Sequence, residues 1–465
     1  MEEPWKNIIM NLATAKLPFT LIPGQRHLLE EMEKFVYSSD SRQVFVLNGY
    51  AGTGKTSIVG AFIKALAELK RPVVLLAPTG RAAKVAEGFS GHSASTIHKR
   101  IYRGDSTDPS NTSFFLAPNE QHDTIFIVDE ASLIGDVPGS GRSLLSHLVR
   151  HVYSAPGCKL MLIGDEAQLP PVGQTSGTSM NYDRLRSLGL SPVGATLDVP
   201  VRQDAESGIV HNATYMRYLL MNPERQYPAE LYVNDFPEVE ALSSRDLADT
   251  LAESWSKVGQ DETLIITRSN RRANDFNRAI RNMVMYAEDP LERGDRLIIS
   301  KNDYFWSKRN GLRTFIANGD TAEVTWVGKT EKVYGRYFSD VELRLQDGAI
   351  VGAKVLLRSL VCDGPSIPRE EMEQLYARVL EAYDGELSHK IKGVMEDPYY
   401  NALQIKYAYC VTCHKAQGGQ WKHVYIDMGS IPPDTIESDF FRWIYTAITR
   451  ATEKLFFINP TIPVK

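Results

Sequence analysis

Short runs of consecutive apolar residues alternate, over about the first 200 residues, with longer stretches in which apolar residues recur at helical spacing. Continuous apolar runs of this length are typical of strands that are buried on both faces of a parallel sheet. The stretch Ser57–Leu69 predicts a helix. The apolar runs predict four strands, at Val44–Leu47, Val73–Leu76, Thr124–Val128 and Lys159–Ile163. Strands that alternate with helices in this way indicate an α/β fold with a parallel sheet.

A second pattern of the same kind follows later in the chain, and it is interrupted. Its predicted strands are Thr263–Ile266, Ile405–Val411, His423–Ile426 and Leu455–Ile458. The interrupting segment alternates apolar and polar residues, as in Val341–Leu345, and has turn signals at Asn318–Asp320 and Gln346–Gly348. This change predicts a small antiparallel barrel inserted into the second lobe, with a helical stretch at Arg369–Tyr383.

These changes of pattern divide the chain into three parts. The first α/β lobe is predicted over residues 1–205, and within it residues 103–123 form a surface excursion rich in turn-forming residues. The second lobe is predicted over residues 206–289 and 402–465. The barrel and its helical stretch are predicted over residues 290–401, between the two halves of the second lobe.

The composition is typical of a soluble protein of several domains. Of the 465 residues, 43% are hydrophobic and 23% are charged. No run of about 18 apolar residues is present, so we expect no membrane-spanning helix. Only four cysteines and an acidic start without a secretory pattern predict a reducing, cytoplasmic location and no membrane partner. The net charge of −5 argues weakly against nucleic-acid binding, although it does not exclude a local basic cleft.

A phosphate-binding loop is predicted between the first strand and the following helix, where the sequence fits G-x-x-x-x-G-K-[ST]. Glycines allow backbone N–H groups to turn toward a polyphosphate, and the helix N-terminus adds partial positive charge. We expect Lys55 to reach the β- and γ-phosphates of ATP and the Thr56 hydroxyl to hold Mg²⁺. The predicted nucleotide-binding residues are Gly49, Tyr50, Ala51, Gly52, Thr53, Gly54, Lys55 and Thr56. A chance glycine-rich turn is the alternative.

Acidic and polar residues follow the next two predicted strands. Asp129 can complete the Mg²⁺ shell, and Glu130 can orient or deprotonate a water molecule for attack on the γ-phosphate. Gln168 follows the fourth strand, at the sheet edge where ligands gather, and could contact the γ-phosphate or that water. The alternatives are a helix cap for the acids and an ordinary polar loop for Gln168.

Taken in order, these motifs resemble those of the superfamily-one helicases. Three further motifs carry the resemblance, Leu76–Ala83, His414–Gly418 and Tyr445–Ala451. The chain resembles most the RecD/Dda-like branch, whose members move 5′→3′ along single-stranded DNA. The resemblance runs from Gln25 to Leu455, nearly the whole chain. It implies two RecA-like lobes with parallel sheets and a small Src-homology-like barrel inserted in the second.

The resemblance adds further residues to the predicted ATP site. It implies that Gln25 recognises adenine and that Gln168 couples the γ-phosphate to DNA. It also implies that Arg202 contacts the γ-phosphate from the first lobe and that Arg450 does so from the second, as an arginine finger. A permanent planar cation can stabilise transition-state charge only when the lobes close. For each arginine the alternative is a surface salt bridge.

A track for single-stranded DNA is implied along the opposite edge of both lobes. Such tracks contact phosphates and bases through hydroxyls, amides and imidazoles without reading sequence, which would let an acidic protein bind DNA. The matching residues are Pro78, Thr79, Arg81, His92, Ser93, Thr96 and His98 in the first lobe and Thr412, His414, Lys415, Gln417 and Gly418 in the second. For each serine, threonine or histidine the alternative is local capping.

The surface excursion has a family counterpart, a pin that splits the duplex. We expect Phe114 or Phe115 to stack on the first base pair, and the alternative is that both rings fold back into a small core. The inserted barrel is expected to guide DNA or to brace the pin. Trp306, Lys308 and Arg309 are its candidate contacts.

The sequence therefore predicts an ATP-dependent 5′→3′ DNA helicase that translocates on single-stranded DNA and separates strands at junctions of single- and double-stranded DNA. One alternative is a translocase or remodelling ATPase that unwinds poorly. A P-loop small-molecule kinase and a nucleic-acid-binding module without turnover are two others. Protein partners, oligomeric state and the preference for DNA over RNA stay open.

Overall fold

The structure is a computed structural model, and it describes residues 7–104, 114–135, 143–171, 173–174, 177–200, 207–224, 227–312, 315–431 and 436–465, with Phe114 described by its backbone only. The α-helices are α1 Ile8–Thr14, α2 Pro23–Tyr37, α3 Lys55–Glu68, α4 Gly80–Ser90, α5 Ile97–Ile101, α6 Leu144–Val152, α7 Tyr182–Ser187, α8 Gly208–Met221, α9 Leu247–Val258, α10 Asn270–Met283, α11 Phe305–Arg309, α12 Arg358–Val361, α13 Arg369–Glu381, α14 Leu387–Glu396, α15 Cys413–Ala416 and α16 Ser438–Ile448. The strands are β1 Gln43–Gly49, β2 Val73–Ala77, β3 Ala94–Thr96, β4 Tyr102–Gly104, β5 Phe114–Leu116, β6 Ile125–Val128, β7 Lys159–Gly164, β8 Ser191–Leu197, β9 Val239–Leu242, β10 Thr263–Thr267, β11 Arg296–Ile299, β12 Thr321–Val333, β13 Arg336–Leu345, β14 Ile350–Leu356, β15 Ile405–Tyr407, β16 Cys410–Thr412, β17 Trp421–Asp427 and β18 Ala451–Ile458.

The first lobe is built on a six-stranded parallel sheet in the order β3-β2-β6-β7-β1-β8. Successive side chains of a strand point to opposite faces, and those of β1 enter two different cores. Phe45 and Leu47 pack with α1, α2 and α3 on one face, while Val44 and Val46 pack with α5 and α6 on the other. This two-sided burial explains why the predicted strands read as continuous apolar runs.

The second lobe has a five-stranded parallel sheet in the order β16-β10-β17-β18-β9. On one face, Leu264 and Ile266 pack against α8 and α16. On the other face, Ile265 and Tyr425 belong to a core that continues into the inserted barrel. The barrel therefore shares a hydrophobic core with the second lobe.

The insertion is a five-stranded antiparallel sheet in the order β14-β13-β12-β11-β15. An isolated bridge between Val355 and Leu403 joins its two ends and closes it into a barrel. Helices α13 and α14 pack on its outer side around Phe338. Two RecA-like α/β lobes with an inserted antiparallel barrel confirm the predicted fold class.

Several predicted elements are wrong in detail. The predicted strand at Ile405–Val411 is two strands, because β15 pairs antiparallel with β11 in the barrel whereas β16 pairs parallel with β10 in the lobe. The strands β8 and β9 were not predicted, since their runs contain polar and exposed residues. Trp306 is buried in the barrel core and donates its indole N–H to the Asn401 carbonyl at 2.8 Å, so it is not an exposed DNA contact.

The predicted surface excursion begins as an antiparallel hairpin, in which β4 pairs with β5. Phe114 and Phe115 lie on the returning strand β5, opposite Gly104 and Arg103. Residues 105–113, which connect the two strands, are outside the described residues, and the contact of Phe114 or Phe115 with a base pair stays a prediction. Among the described residues, no helix is long and apolar enough to cross a bilayer.

Candidate nucleotide site and interlobe groove

The P-loop connects β1 to α3 and borders a cavity of about 590 Å³. Gly52 and Gly54 adopt positive φ angles of 76° and 79°, which non-glycine residues rarely adopt. A Cβ at Gly49 would lie 2.8 Å from Lys55 Cδ, so the lysine stem passes directly over that glycine. Such a loop turns backbone N–H groups toward a bound phosphate.

Lys55 and Thr56 stand at the start of α3 and both line this cavity. Lys55 Nζ donates to the Gly164 carbonyl at the end of β7, at 3.3 Å. Because that hydrogen bond is long, a phosphate oxygen could replace it at little cost. Thr56 is exposed to the cavity, where its hydroxyl can reach a metal ion.

Three carboxylates follow β6 and β7 beside Lys55. Burial, together with the charge of Glu130, raises the pKa of Asp129 to about 6. Burial also raises the pKa of Asp165, against the opposing effect of Lys55. One buried carboxylate oxygen of Glu130 has no hydrogen-bond partner. A cation near these groups would relieve the repulsion between them.

These residues fit a magnesium ion held jointly with a nucleotide. Within the described ranges, no group of three or more histidine, cysteine or acidic side chains could hold a metal ion by itself. Mg²⁺ at phosphate sites characteristically takes one or two protein ligands and completes its shell with water and phosphate oxygens. The Thr56 hydroxyl and the Asp129 carboxylate are of the right chemistry for that arrangement.

Gln168 lies in the turn that follows β7, and it lines the same cavity. Its side-chain oxygen is buried and has no hydrogen-bond partner. An orphaned buried acceptor is costly unless a ligand or a water molecule satisfies it. The structure therefore places Gln168 where it can accept a hydrogen bond from a water molecule in the cavity.

Gln25 occupies a different place from the one implied for an adenine contact. It is fully buried beneath the P-loop and is not among the residues that line the cavity. Its amide nitrogen donates to the Thr53 carbonyl at 3.0 Å, and its amide oxygen accepts from the Ile22 N–H at 3.3 Å. Gln25 thus fixes the P-loop to the start of α2.

Arg450 reaches the nucleotide cavity from the second lobe, where α16 ends. Its guanidinium is buried and donates to the carbonyls of Thr446 and Gly419 and to the Thr449 hydroxyl, at 3.0 to 3.1 Å. In this conformation its guanidinium is held by its own lobe. Arg202, the other implied phosphate-contacting arginine, lies outside the described residues.

Helix α16 also joins the two lobes through Tyr445 and Thr446, which belong to a predicted motif but had no predicted role. The Tyr445 hydroxyl donates to Asp165 Oδ2 at 2.6 Å and accepts from the P-loop amide of Ala51 at 2.9 Å. At the next residue, the Thr446 hydroxyl accepts from the Leu169 N–H at 2.8 Å. These contacts tie the loop after β7 to the second lobe. Only the three-dimensional approach of the lobes reveals them, since the partners are 277 to 394 positions apart.

A second cavity, of about 790 Å³, lies between α4 of the first lobe, the α15 region of the second lobe and the barrel. Five of the predicted track residues line it, Thr79, Arg81, His414, Lys415 and Gln417. Basic residues of the barrel, Arg296 and Arg344, line the opposite wall and share Glu323 as an ion-pair partner. We call this cavity the interlobe groove.

Lys415 is the strongest candidate in the groove for contacting an anion. Its ammonium group is buried and has no hydrogen-bond partner. Burial, with a contribution from the charge of Lys406, lowers its pKa to about 8. A buried, unpaired ammonium group is unfavourable, and a backbone phosphate in the groove would pair with it.

Arg81 lines the groove, and its guanidinium is already engaged across the lobe interface. It stacks on the ring of Trp421, with 3.8 Å between Cζ and the ring centroid, and donates to the Gln420 carbonyl at 3.0 Å. Burial lowers its pKa to about 10. Nearby, Gly418 has φ of 72°, and a Cβ there would lie 2.9 Å from that of Ala82. Both residues therefore hold the lobes close together here.

The remaining predicted track residues do not line the groove. The Thr96 hydroxyl accepts a hydrogen bond from a backbone N–H at the start of α5, which is the capping alternative. The Thr79 hydroxyl caps α4 in the same way, but Thr79 also lines the groove. His92 contacts the Val73 carbonyl at 3.0 Å through Nε2. Pro78 is half-buried before α4, and Ser93 is exposed before β3. Burial lowers the pKa of His98, and Thr412 is buried before α15.

Of the two phenylalanines predicted for the pin, Phe115 is 56% exposed, so it does not fold back into a core.

Two family descriptions match parts of the chain. Residues 20–207 match an AAA domain, and residues 407–458 match a UvrD-like helicase C-terminal domain. The chain is 26% identical over 307 residues to the ATP-dependent RecD2 DNA helicase of Deinococcus radiodurans, a match that spans 65% of this chain and 40% of that protein. It is 30% identical over 162 residues to the ATP-dependent DNA helicase dda of phage T4, spanning 34% of this chain and 35% of that protein. An uncharacterised mimivirus protein is 21% identical over 90% of this chain and 96% of its own length.

The fold is similar to that of a solved helicase structure. The Pif1 helicase from Bacteroides, in complex with ADP-AlF3 and single-stranded DNA, superposes with a TM-score of 0.50 at 15% identity. The superposition covers 96% of this chain and 93% of the Pif1 chain. At this identity the similarity concerns the fold.

Proposed function

We propose that this chain, which belongs to the RecD/Dda/Pif1 branch of the superfamily-one helicases, is an ATP-dependent 5′→3′ DNA helicase. It translocates on single-stranded DNA and separates duplex strands. The observation that carries this proposal is that two cavities lie at the interface between the same two lobes. Both lobes line the nucleotide cavity, and the same two lobes line the groove that contains the predicted DNA residues.

In this proposal ATP binds with its phosphates on the P-loop. The backbone amides of Gly49–Thr56 and the ammonium group of Lys55 neutralise the phosphate charge. Thr56 and Asp129 would hold Mg²⁺, which would neutralise charge on the phosphate oxygens. Glu130 and Gln168 orient the attacking water, a role supported by the unsatisfied buried oxygen of each side chain.

Arg450 acts as the arginine finger of the second lobe. In this structure its guanidinium is satisfied by carbonyls of its own lobe. A bound γ-phosphate offers a charged acceptor in place of neutral ones, and charge-assisted hydrogen bonds are the stronger. The approach of Arg450 to that phosphate would close the lobes, and loss of the phosphate would let them open. Arg202 is proposed for the first-lobe contact from the resemblance alone.

Single-stranded DNA lies in the interlobe groove, where Lys415 pairs with a phosphate and Thr79, His414 and Gln417 contact the strand. Gln417 also links the two sites, because its amide nitrogen donates to the Leu169 carbonyl at 2.7 Å. Leu169 follows Gln168 directly, and its own N–H is held by Thr446 of α16. A change at the γ-phosphate therefore has a short route to the groove.

The β4–β5 hairpin is proposed as the pin, with Phe115 exposed for contact with a base pair. The barrel forms the outer wall of the groove. It contacts α4 directly, since Lys84 donates to the Gln346 carbonyl at 3.0 Å. The barrel thus limits the movement of a strand away from the two lobes.

The proposal is tested by ATP hydrolysis with and without single-stranded DNA, together with unwinding of duplexes that carry a 5′ or a 3′ tail. We expect DNA to stimulate hydrolysis and unwinding to occur only from the 5′ tail. Stimulation without unwinding would reduce the activity to translocation. Hydrolysis that responds to RNA only would change the substrate, and hydrolysis that neither nucleic acid stimulates would favour a P-loop kinase.

A lysine pair provides the matched control for the ATP site. Lys55→Ala removes the phosphate counter-charge and should lower turnover by a factor of about 100 or more. Lys64→Ala removes an exposed lysine from the same helix and should leave turnover unchanged. Normal turnover in Lys55→Ala would contradict the assignment of the P-loop.

A further inference from the structure

Three arginines cluster beside the β4–β5 hairpin, namely Arg100 on α5, Arg103 on β4 and Arg150 on α6. Their charges act on two neighbouring histidines of α6. Burial lowers the pKa of His151, and the charges of Arg100 and Arg103 contribute to the same effect. Burial also lowers the pKa of His147, to which the charge of Arg150 adds. We call these three residues the arginine cluster.

The arginine cluster has no ion-pair partner within the described part of the chain. Arg103 donates only to the backbone carbonyls of Lys99 and Tyr102, each at 3.2 Å. The exposed carboxylate of Glu120 acts on Arg100 from a distance, without forming a salt bridge. Among the described residues, the cluster is therefore a positive surface without an ion-pair partner, in a chain of net charge −5.

Three exposed arginines elsewhere in the chain are neutralised on their own helices. Arg186 pairs with Asp183, Arg278 with Asp275 and Arg369 with Glu373, at 2.7 to 2.9 Å. The arginine cluster differs from these in having no such partner. A guanidinium binds phosphate through two parallel hydrogen bonds and is less strongly hydrated than an ammonium group, so unpaired arginines suit a phosphate surface.

The position of the cluster separates it from the single-strand path. None of its three members lines the interlobe groove or the nucleotide cavity. Arg103 lies directly opposite Phe115 in the hairpin, and Phe115 is the exposed aromatic proposed to meet the first base pair. Phosphates that lie beside that base pair belong to DNA that is still double-stranded.

We propose that the arginine cluster binds the phosphate backbone of the duplex arm at a junction, ahead of the pin. This inference rests on the proposed helicase function and adds a second DNA-binding surface to it. Duplex DNA carries one charge per roughly 1.7 Å of its axis, twice the density of a single strand. A surface of three arginines therefore gains most from the duplex and holds it in place while the pin separates the strands.

The test compares binding of two DNA probes over a series of salt concentrations. One probe is a fork with a 5′ single-stranded tail and a duplex arm, and the other is the same tail alone. The test variant carries three substitutions, Arg100→Gln, Arg103→Gln and Arg150→Gln. On the fork, its slope of log affinity against log salt should be less steep than that of the wild type by roughly 2 to 3, because each phosphate contact contributes about 0.9. On the tail alone its slope should equal that of the wild type.

The control is the triple variant Arg186→Gln, Arg278→Gln, Arg369→Gln, which removes the same charge from paired arginines. It should leave the fork slope unchanged. A second variant, Arg150→Gln alone, guards against misfolding, because this exposed side chain makes no hydrogen bond in the described structure. It should lower the fork slope by about one.

Each outcome has a separate meaning. An equal loss on both probes would assign the cluster to the single strand and overturn the duplex proposal. An equal loss in the control variant, or no loss in the triple variant, would overturn it as well. If wild-type protein bound neither probe, the proposed helicase function itself would fail. The wild-type measurements therefore test the function, and the variants test the cluster.

Discussion

The Tyr445 hydroxyl of the second lobe donates to the Asp165 carboxylate of the first lobe at 2.6 Å. Both groups are buried, and burial raises the pKa of each. The same hydroxyl accepts from the P-loop amide of Ala51. One side chain of α16 therefore contacts both the phosphate-binding loop and the loop that follows β7. A hydrogen bond between two buried polar groups is costly to break, because each would be left unsatisfied.

From this geometry we expect Tyr445→Phe to uncouple the two sites. The ring still fills its place in the core, so the fold should persist, but the hydroxyl link between the lobes is lost. Stimulation of ATP hydrolysis by single-stranded DNA should fall about tenfold, corresponding to one lost hydrogen bond of roughly 1.4 kcal/mol. Hydrolysis without DNA should change less. The measurement is the ratio of DNA-stimulated to basal turnover.

Tyr425→Phe is the matched control for that variant. Tyr425 is also fully buried, and its hydroxyl also makes two hydrogen bonds, to Ser254 and to the Thr250 carbonyl, but these lie within the second lobe. Tyr425→Phe should lower the stability of the fold without changing the ratio of DNA-stimulated to basal turnover. If both variants changed the ratio equally, the effect of Tyr445 would be structural.

Gln25 leads to a prediction about nucleotide selectivity. Because its amide supports the P-loop rather than facing the cavity, Gln25→Ala should weaken every nucleoside triphosphate alike. We expect KM for ATP and for GTP to rise by a similar factor, about tenfold for one buried hydrogen bond. A rise confined to ATP would instead support the adenine contact implied by the family resemblance. Steady-state kinetics with both nucleotides decides between the two.

The strand and the helix that flank the P-loop were predicted correctly from the sequence because their determinants are local. The P-loop needs glycines at fixed spacing between a strand and a helix, and Gly52 and Gly54 adopt the positive φ angles for which glycine is required. Buried strands such as β1 and β7 are recognisable because both of their faces are apolar.

Contacts between distant parts of the chain were not predictable in the same way. Arg81 was expected to contact DNA, yet its guanidinium stacks on Trp421, which lies 340 positions later. Nothing in the pattern near Arg81 indicates an aromatic partner from the other lobe. The prediction of a single strand at Ile405–Val411 was wrong for a related reason, since apolar periodicity does not show that a chain changes from one sheet to another. The position of the Arg81 side chain and the division of this strand both depend on tertiary neighbours.

The junction between the second lobe and the barrel leads to a prediction about stability. Arg281 on α10 forms a bidentate ion pair with Asp295, next to β11, at 2.9 Å for both hydrogen bonds. Arg281 is 6% exposed and Asp295 is fully buried. Arg281→Ala leaves a buried carboxylate without its counter-charge and should lower the free energy of unfolding by about 3–5 kcal/mol.

Arg278→Ala on the same helix is the control for that variant. Its side chain is exposed and pairs with Asp275 at the surface, so it should cost less than about 1 kcal/mol. Urea denaturation of both variants gives the comparison. Similar losses in the two variants would mean that the buried pair does not stabilise the junction.

Lys415 leads to a prediction about pH. Its pKa of about 8 lies below the usual 10.5 because burial disfavours the ammonium form. The charge is therefore lost as pH rises through about 8, and with it the pairing to a backbone phosphate. Affinity for single-stranded DNA should fall between pH 7 and pH 9, and the slope of log affinity against log salt should fall by about one. The folded protein itself should gain stability over that range, because the unfavourable buried charge disappears.

Lys415→Arg separates this titration from the other effects of pH. An arginine keeps its charge throughout the range, so the variant should retain its salt slope at pH 9 even if its affinity at pH 7 is somewhat lower. Fluorescence anisotropy with a labelled single strand, at several salt concentrations and at each pH, provides both slopes. An equal decline of the slope in wild type and variant would mean that another group titrates in the groove, and that Lys415 does not contact the phosphate.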